Sequence, residues 1–357
     1  MPEVRTSSRR GSWYVAWLYL GTLVGAGFAT GREVLRFFAA YGPWGLGGTL
    51  VAGILFALAG AAVAQIAGRV GARNYREYYG AILPPAWAGL MDGLTSVFFF
   101  LVLVVSLAGM AQLAADSAPA TAGAAPYAAA GLLVALVLAG PTTALAVGRA
   151  LGPVQLGLVL LLSLLTWRAM GPNPAAGPWP GGAAVTIMPP WWVAALLYFA
   201  YNHALSLSIL TGAARLSPRR HAVRGAALGG IMLGFMLAAA TVAILLLLPG
   251  AALSPFPLSY AAQRLGAGWS LLYSLLLAGA MLTTAVAVLW ALHQRYPSGR
   301  GLVLMAVAAA ITAARGTFAL FIDVVYPIMG SAGMLMVAAL VRAHLLGPAG
   351  FPPARGE

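Results

Sequence analysis

Polar and apolar residues do not alternate along this chain. Apolar residues run in long blocks from end to end, parted by short joints rich in proline, glycine and arginine. Each block is about 18 to 28 residues, long enough to cross a hydrocarbon layer of ~30 Å as a helix. The blocks predict ten spans, near residues 13–40, 44–68, 87–113, 125–147, 151–168, 189–213, 222–248, 269–292, 300–316 and 318–344. Breakers stand at the joints: Tyr41-Gly42-Pro43, Pro84-Pro85, Gly152-Pro153, Pro189-Pro190, Pro249-Gly250 and Pro297-Ser298-Gly299. The predicted fold class is an all-α integral membrane protein with no soluble domain of any size.

Composition narrows the class further. Of 357 residues, 61% are hydrophobic and 8% charged, against roughly 25% charged in soluble domains. A soluble core of this length needs a charged surface that the chain does not supply. Cysteine is absent, which excludes disulfides, thiolate metal sites and cysteine nucleophiles. The four histidines are scattered, which argues against a histidine metal centre. No phosphate loop, nucleophile elbow or zinc spacing is present, and an enzyme is not expected.

The net charge of +13 would suggest a nucleic-acid partner in a soluble protein. Here the charge sits between spans, so the expected partners are the lipid bilayer and a small solute, with no nucleic acid. All twenty basic residues are arginine. With the N-terminus cytoplasmic, fifteen fall in inside segments, while only Arg32, Arg36, Arg168, Arg264 and Arg315 fall outside. That bias predicts a multi-pass membrane protein with both termini cytoplasmic. The cluster Arg215–Arg224 reads as topology signal and lipid headgroup contact. The opening MPEVRTSSRRGS is basic but lacks a small-residue cleavage site, so the first span reads as retained.

Loop lengths carry a second pattern. Spans 2 and 3 are parted by a segment with a helical look, Arg69 to Pro85, and spans 7 and 8 by a similar one, Pro249 to Gly268. The joints between spans 4 and 5 and between 9 and 10 are both very short. This matches two five-helix halves, the second upside down, as in many secondary transporters with a midplane solute site. The expected organisation is a cytoplasmic tail (1–12), a first repeat (13–168), an extracellular connecting loop (169–188), a second inverted repeat (189–344) and a cytoplasmic tail (345–357).

The most informative stretch is in span 1, Gly21-Thr22-Leu23-Val24-Gly25-Ala26-Gly27-Phe28-Ala29-Thr30-Gly31-Arg32-Glu33. Each of its four glycines weakens a helix by about 1 kcal/mol relative to alanine. Backbone unwinds inside a membrane only where it faces protein or a wet cavity. An unwound stretch offers carbonyls to a cation and the amides of the next half-helix to an anion. Close packing through small residues is the other reading of the glycines, and the charged pair that follows them favours the first.

Val24 to Val34, followed by Phe37-Phe38, resembles the first helix of the YkvI-type bacterial membrane proteins. These are related to the amino acid–polyamine–organocation superfamily and, more distantly, to LeuT-type transporters. Tyr201-Asn202 and Tyr326-Pro327 with Gly330 carry the same resemblance. It implies a LeuT-like fold of two inverted five-helix repeats with discontinuous helices 1 and 6.

On that resemblance the carboxylate of a solute would meet the amides of Gly25, Ala26, Gly27 and Phe28. Span 6 places Tyr198, Asn202, His203 and Ser206 in the middle of an apolar run. Polar groups there face either the solute or a neighbouring helix, where a hydrogen bond contributes about 0.6 kcal/mol. The LeuT-type pattern also implies a sodium site made by the carbonyls of Gly21, Val24 and Ala280 and the hydroxyls of Thr283 and Thr284. Neutral oxygen ligands suit a hard monovalent cation, although membrane threonines also bond back to their own helix. Proton-coupled relatives replace that sodium with a lysine, and this chain contains none.

Two acids stand out within spans, Glu33 and Asp323. Asp323 near the outer end of span 10 calls for a cation, and Arg32 is the natural partner for an outer gate. Glu33 pairs with Arg36 or Arg315, or carries a proton. The reading is a secondary transporter, sodium-coupled, moving an amino acid or related small zwitterion by alternating access. A proton-coupled carrier using Glu33 or Asp323, and a non-transporting nutrient sensor of the same fold, are its rivals.

Overall fold

The computed structural model describes residues 8–72, 74–117, 119–171, 189–315 and 326–346. Among them are fifteen α-helices and no strand. Span 1 is built in pieces: α1 (Ser8–Leu23), α2 (Ala26–Thr30) and α3 (Arg32–Phe37). Then come α4 (Trp44–Val70), α5 (Tyr75–Ile82), α6 (Pro85–Ser117), α7 (Ala125–Leu138) and α8 (Pro141–Met170). The second half holds α9 (Trp191–Leu216), α10 (Arg219–Leu246), α11 (Gly250–Leu253), α12 (Pro257–Leu265), α13 (Ala267–Arg295), α14 (Gly299–Arg315) and α15 (Tyr326–Leu346). Spans 2 to 10 are therefore α4, α6, α7, α8, α9, α10, α13, α14 and α15.

Two predicted boundaries move. The joint between spans 4 and 5 lies at Gly140-Pro141, not at Gly152-Pro153. Gly140 takes φ +101°, which a side chain resists, and Pro141 opens α8 where its missing N–H costs nothing. Pro153 is carried inside α8. Span 4 is accordingly short, 14 residues or about 21 Å of helix. Span 6 was expected to be discontinuous, and α9 runs unbroken from Trp191 to Leu216. No glycine or proline occurs between Trp191 and Thr211, so nothing in the sequence lowers the cost of a break there.

The packing follows the expected five-plus-five scheme. α4 packs on α10, α6 on α13 and α7 on α14, each a pair of spans five apart. α1 on α10 mirrors α4 on α9, and α1 on α8 mirrors α9 on α15. An odd number of crossings per half inverts the second half relative to the first, so this is the LeuT-like inverted arrangement. The helical looks of the two long loops are realised as α5 and α12. α5 is capped by Asn74, whose side chain accepts from the Glu77 N–H at 2.9 Å.

Between α4 and α10 the backbones nearly touch. A Cβ on Gly53 would lie 2.8 Å from the Gly234 Cα, and one on Gly230 would overlap the backbone at Phe56 and Ala57. Apolar surface gives no drive for helix pairing in lipid, so close approach at small residues supplies it. The outer face of α4 carries Leu50, Ile54 and Leu58 one turn apart, each more than half exposed. In water this stripe would be an apolar patch; in a bilayer it is the solvated face.

At the arginine-rich end, α6 and α13 are joined by an ion pair that span-by-span reading of acids passed over. Arg295 donates through Nε and Nη2 to both oxygens of Asp92, the shortest bond being 2.7 Å. Tyr296 stacks under the guanidinium at 4.6 Å, and Tyr75 of α5 bonds Ser96 one turn from Asp92 at 3.0 Å. The pair thus fastens spans 3 and 8 to each other and to α5.

Two outcomes are expected from these contacts. Gly53→Val should lower the thermal midpoint of the detergent-purified protein by several degrees, as overpacking costs about 1–3 kcal/mol. Gly157→Ala, with open space around it, should leave the midpoint unchanged. Asp92→Asn should destabilise on the order of 3 kcal/mol by stranding Arg295. Combining it with Arg295→Met should recover part of that loss, and strict additivity in the same melts would remove the coupling.

Candidate functional site

The helix of span 1 stops where the glycines predict. The Gly25 N–H turns to the Leu23 carbonyl at 3.0 Å, and helical bonding resumes with the Ala29 N–H on the Gly25 carbonyl at 2.9 Å. Among the described residues, no backbone amide bonds the carbonyls of Gly21 or Val24. α2 is only five residues long and ends at Gly31, which adopts φ +82° beneath Leu258 of α12. Tyr273 of α13 fixes its far end, donating to the Ala29 carbonyl at 2.7 Å. The break is therefore enclosed by protein, as the bilayer requires.

Span 8 approaches this break with one free hydroxyl. Thr284 is buried, its Oγ1 has no hydrogen-bond partner, and a Cβ on Gly25 would lie 3.4 Å from it. Thr283 differs: its hydroxyl donates to the Ala280 carbonyl at 2.9 Å. Of the five oxygens proposed for sodium, those of Gly21, Val24 and Thr284 have no partner among the described residues, while Thr283 and Ala280 are bonded to each other. A cation entering here would replace that local bond, as neutral oxygen donors permit.

Glu33 closes the other side of the break. The αL turn at Gly31 sends its side chain back over α2, and a Cβ on Gly27 would overlap its carboxyl group. Glu33 is 3% exposed and lies beside the Tyr201 hydroxyl. The chain's own carboxylate thus lies at Gly27, within the amide stretch where a solute carboxylate was expected. Neither Arg36 nor Arg315 pairs with it among the described residues.

Span 6 contributes an aromatic wall. Tyr198 and Tyr201 are both buried, with ring centres 5.6 Å apart. Phe37 lies 5.6 Å from Tyr198 and 5.8 Å from Tyr201, and Phe98 of α6 lies 6.3 Å from Tyr201. The Phe37-Phe38 pair after the glycine motif is thereby brought onto Tyr198 and Tyr201, Phe38 edge-on to Tyr198 at 5.0 Å. Asn202 donates to the Tyr198 carbonyl at 3.2 Å and Ser206 to the His203 carbonyl at 2.6 Å. Both polar groups are satisfied by their own helix, which lets α9 pass unbroken. From behind, α15 presses on α9: a Cβ on Gly333 would overlap the Ala200 carbonyl.

Arg32 reaches the other direction, donating to the Ser254 carbonyl at 3.5 Å beneath α11 and α12. Asp323, its expected partner, lies outside the described residues. The sequence reading also missed Gln155 in α8, which is fully buried with neither amide atom bonded. Its signal is a lone amide in the run from Leu151 to Leu165, three residues past Gly152, on which a Cβ would lie 2.8 Å from the Trp17 carbonyl of α1. Tyr273 and Asp92 carried similar signals, a single polar group inside an apolar span.

No family profile matches the chain. It is 28% identical over 340 residues, 92% of its length and 94% of the relative's, to the uncharacterized membrane protein YkvI of Bacillus subtilis (strain 168). Among solved structures it resembles MhsT in complex with L-phenylalanine, with a TM-score of 0.58, 16% identity, and 95% of this chain and 82% of that one covered. A Na+-coupled sialic acid symporter gives 0.58 at 11% identity, covering 94% and 78%. The Eremococcus coleocola manganese transporter gives 0.55 at 13% identity, covering 96% and 74%. The chain is a multi-pass membrane protein with the LeuT fold, and over nearly its whole length it is similar in sequence to YkvI.

Proposed function

We propose that this protein is a sodium-coupled secondary transporter that carries a small solute across the bacterial inner membrane by alternating access. The observation that carries the reading is the buried Thr284 hydroxyl, unbonded among the described residues and set against the Gly25 break, where the Gly21 and Val24 carbonyls also lack a backbone amide partner. A buried hydroxyl without a partner costs about 1–3 kcal/mol, and a bound cation removes that cost. Sodium there ties α1 to α13 and so biases the protein toward one arrangement of span 1. The solute site lies on the opposite side of the same break, between Glu33 and the Tyr198–Tyr201 wall. An amino acid or related small zwitterion is the solute class proposed from the sequence, with both chain termini in the cytoplasm. That the LeuT-fold neighbours include a Na+-coupled symporter and a protein bound to L-phenylalanine supports both parts.

Sodium should raise the thermal midpoint of the purified protein saturably, with potassium at equal ionic strength as the control. Thr284→Val, which keeps shape and removes the ligand, should weaken apparent sodium affinity about tenfold or more. An undiminished sodium response in that variant would place the ion elsewhere. Indifference of the unaltered protein to sodium, with a response to pH, would favour proton coupling through Glu33.

The outer gate makes a separate expectation. Arg32 donates to the Ser254 carbonyl beside α12, and Asp323, expected from the sequence near the outer end of span 10, is its proposed partner. Arg32→Gln and Asp323→Asn should each lower the thermal midpoint, and the double variant should lose less than the sum. Additive losses would remove the pair.

A further inference from the structure

Glu33 is a carboxylate buried at membrane depth, and among the described residues no cation pairs with it. Its carboxyl group lies over Gly27 and beside the Tyr201 hydroxyl, away from solvent. The two arginines on its own short helix are directed elsewhere: Arg32 donates to the Ser254 carbonyl, and Arg36 lies near Tyr41. Residues 172–188 and 316–325, two of the segments outside the described residues, contain no arginine, lysine or histidine. An ionised carboxylate in such a place is costly unless a cation reaches it.

Tyr201, beside it, belongs to a set of rings of the kind that hold organic cations. Phe37, Phe98, Tyr198 and Tyr201 form a buried set of rings with centres 5.6 to 6.3 Å apart, and Tyr201 joins that set to Glu33. Ring faces attract an ammonium within about 6 Å, more strongly when water is excluded. Against this, the place expected for a solute carboxylate is poor. α2 has five residues, and the Glu33 carboxyl group already lies on Gly27. A second carboxylate there would meet like charge at close range.

We infer that the cargo is recognised through an ammonium group, held by the Glu33 carboxylate and bounded by the rings of Phe37, Phe98 and Tyr201. The solute class is then an organic amine, with a carboxylate on the solute dispensable. This rests on the reading of the chain as a solute carrier, and narrows its cargo. Phe98 and Tyr201 limit the size of the ammonium substituents, and Glu33 supplies the charge.

The test uses the full-length purified protein and three probes at millimolar concentration: 2-phenylethylammonium, choline and 3-phenylpropionate. Thermal shift is recorded with and without sodium. At least one of the two cations should stabilise the protein, and the carboxylate should not. Glu33→Gln should weaken cation binding about tenfold or more while keeping the sodium shift that reports a folded protein. Phe98→Leu should weaken it less, and equally with or without sodium. Stabilisation by 3-phenylpropionate alone overturns the inference, as does cation binding unchanged in Glu33→Gln, or no response to either cation. A sodium shift that survives any of these outcomes leaves the carrier reading standing and removes only the amine. Loss of the sodium shift in the unaltered protein counts against the carrier reading instead.

Discussion

A backbone that unwinds at membrane depth has nowhere to find water, so every amide and carbonyl it frees must face protein or a bound ligand. The rest of this structure is arranged around meeting that constraint at Gly21–Gly31. α12 covers Gly31 from one side, α13 brings Tyr273 to the Ala29 carbonyl and Thr284 to Gly25, and Glu33 folds over Gly27. At Gly27 and Gly31 a side chain would collide with Glu33 and Leu258, and Tyr273 meets a bare carbonyl. Two of the glycines that weaken span 1 as a helix are therefore what allow its neighbours to close around the break.

The enclosure depends in turn on how tightly the other spans sit. α10 holds α1 through Gly225 and Gly229, where a Cβ would meet the backbone of Ser12 and Ala16, and holds α4 through Gly230 and Gly234. α15 holds α9 through Gly330 and Gly333. Small residues thus set the distance between the halves, while Asp92 and Arg295 fasten spans 3 and 8 at the arginine-rich end. Fixing α9 at this distance is what keeps Tyr198 and Tyr201 against Phe37 rather than opening a gap beside the break.

How much of this the sequence discloses depends on the range of the contact. Spans follow from block length, because a bilayer demands it of any crossing helix, and the break of span 1 follows from glycine spacing. The sequence offers two identical glycine–proline pairs, Gly140-Pro141 and Gly152-Pro153, and the chain turns at the first. Only tertiary packing decides which of two adjacent glycine–proline pairs turns the chain. The expected break in span 6 came from resemblance, not from its residues, and Asn202 and Ser206 satisfy themselves on an intact helix. Glu33 shows the limit most clearly. Its presence within the span was legible, but its return to Gly27 depends on the φ of one residue, Gly31, and on the wall behind it.

The two proposed ligands share that stretch without sharing a residue. Sodium would use Gly21, Val24, Ala280, Thr283 and Thr284, where α13 meets the break, and an ammonium would use Glu33, beside Tyr201 of α9. Two cations gain nothing from each other by charge alone, so positive coupling between them needs another origin. Ordering of the unwound segment supplies one. Whichever ligand binds first fixes Gly25 to Gly27, and the second then binds a stretch whose conformational entropy is already spent. Linkage requires that the benefit be equal in both directions. On this view the glycines serve coupling as well as closure. They keep the segment loose enough, when empty, that fixing it has a cost for two ligands to share.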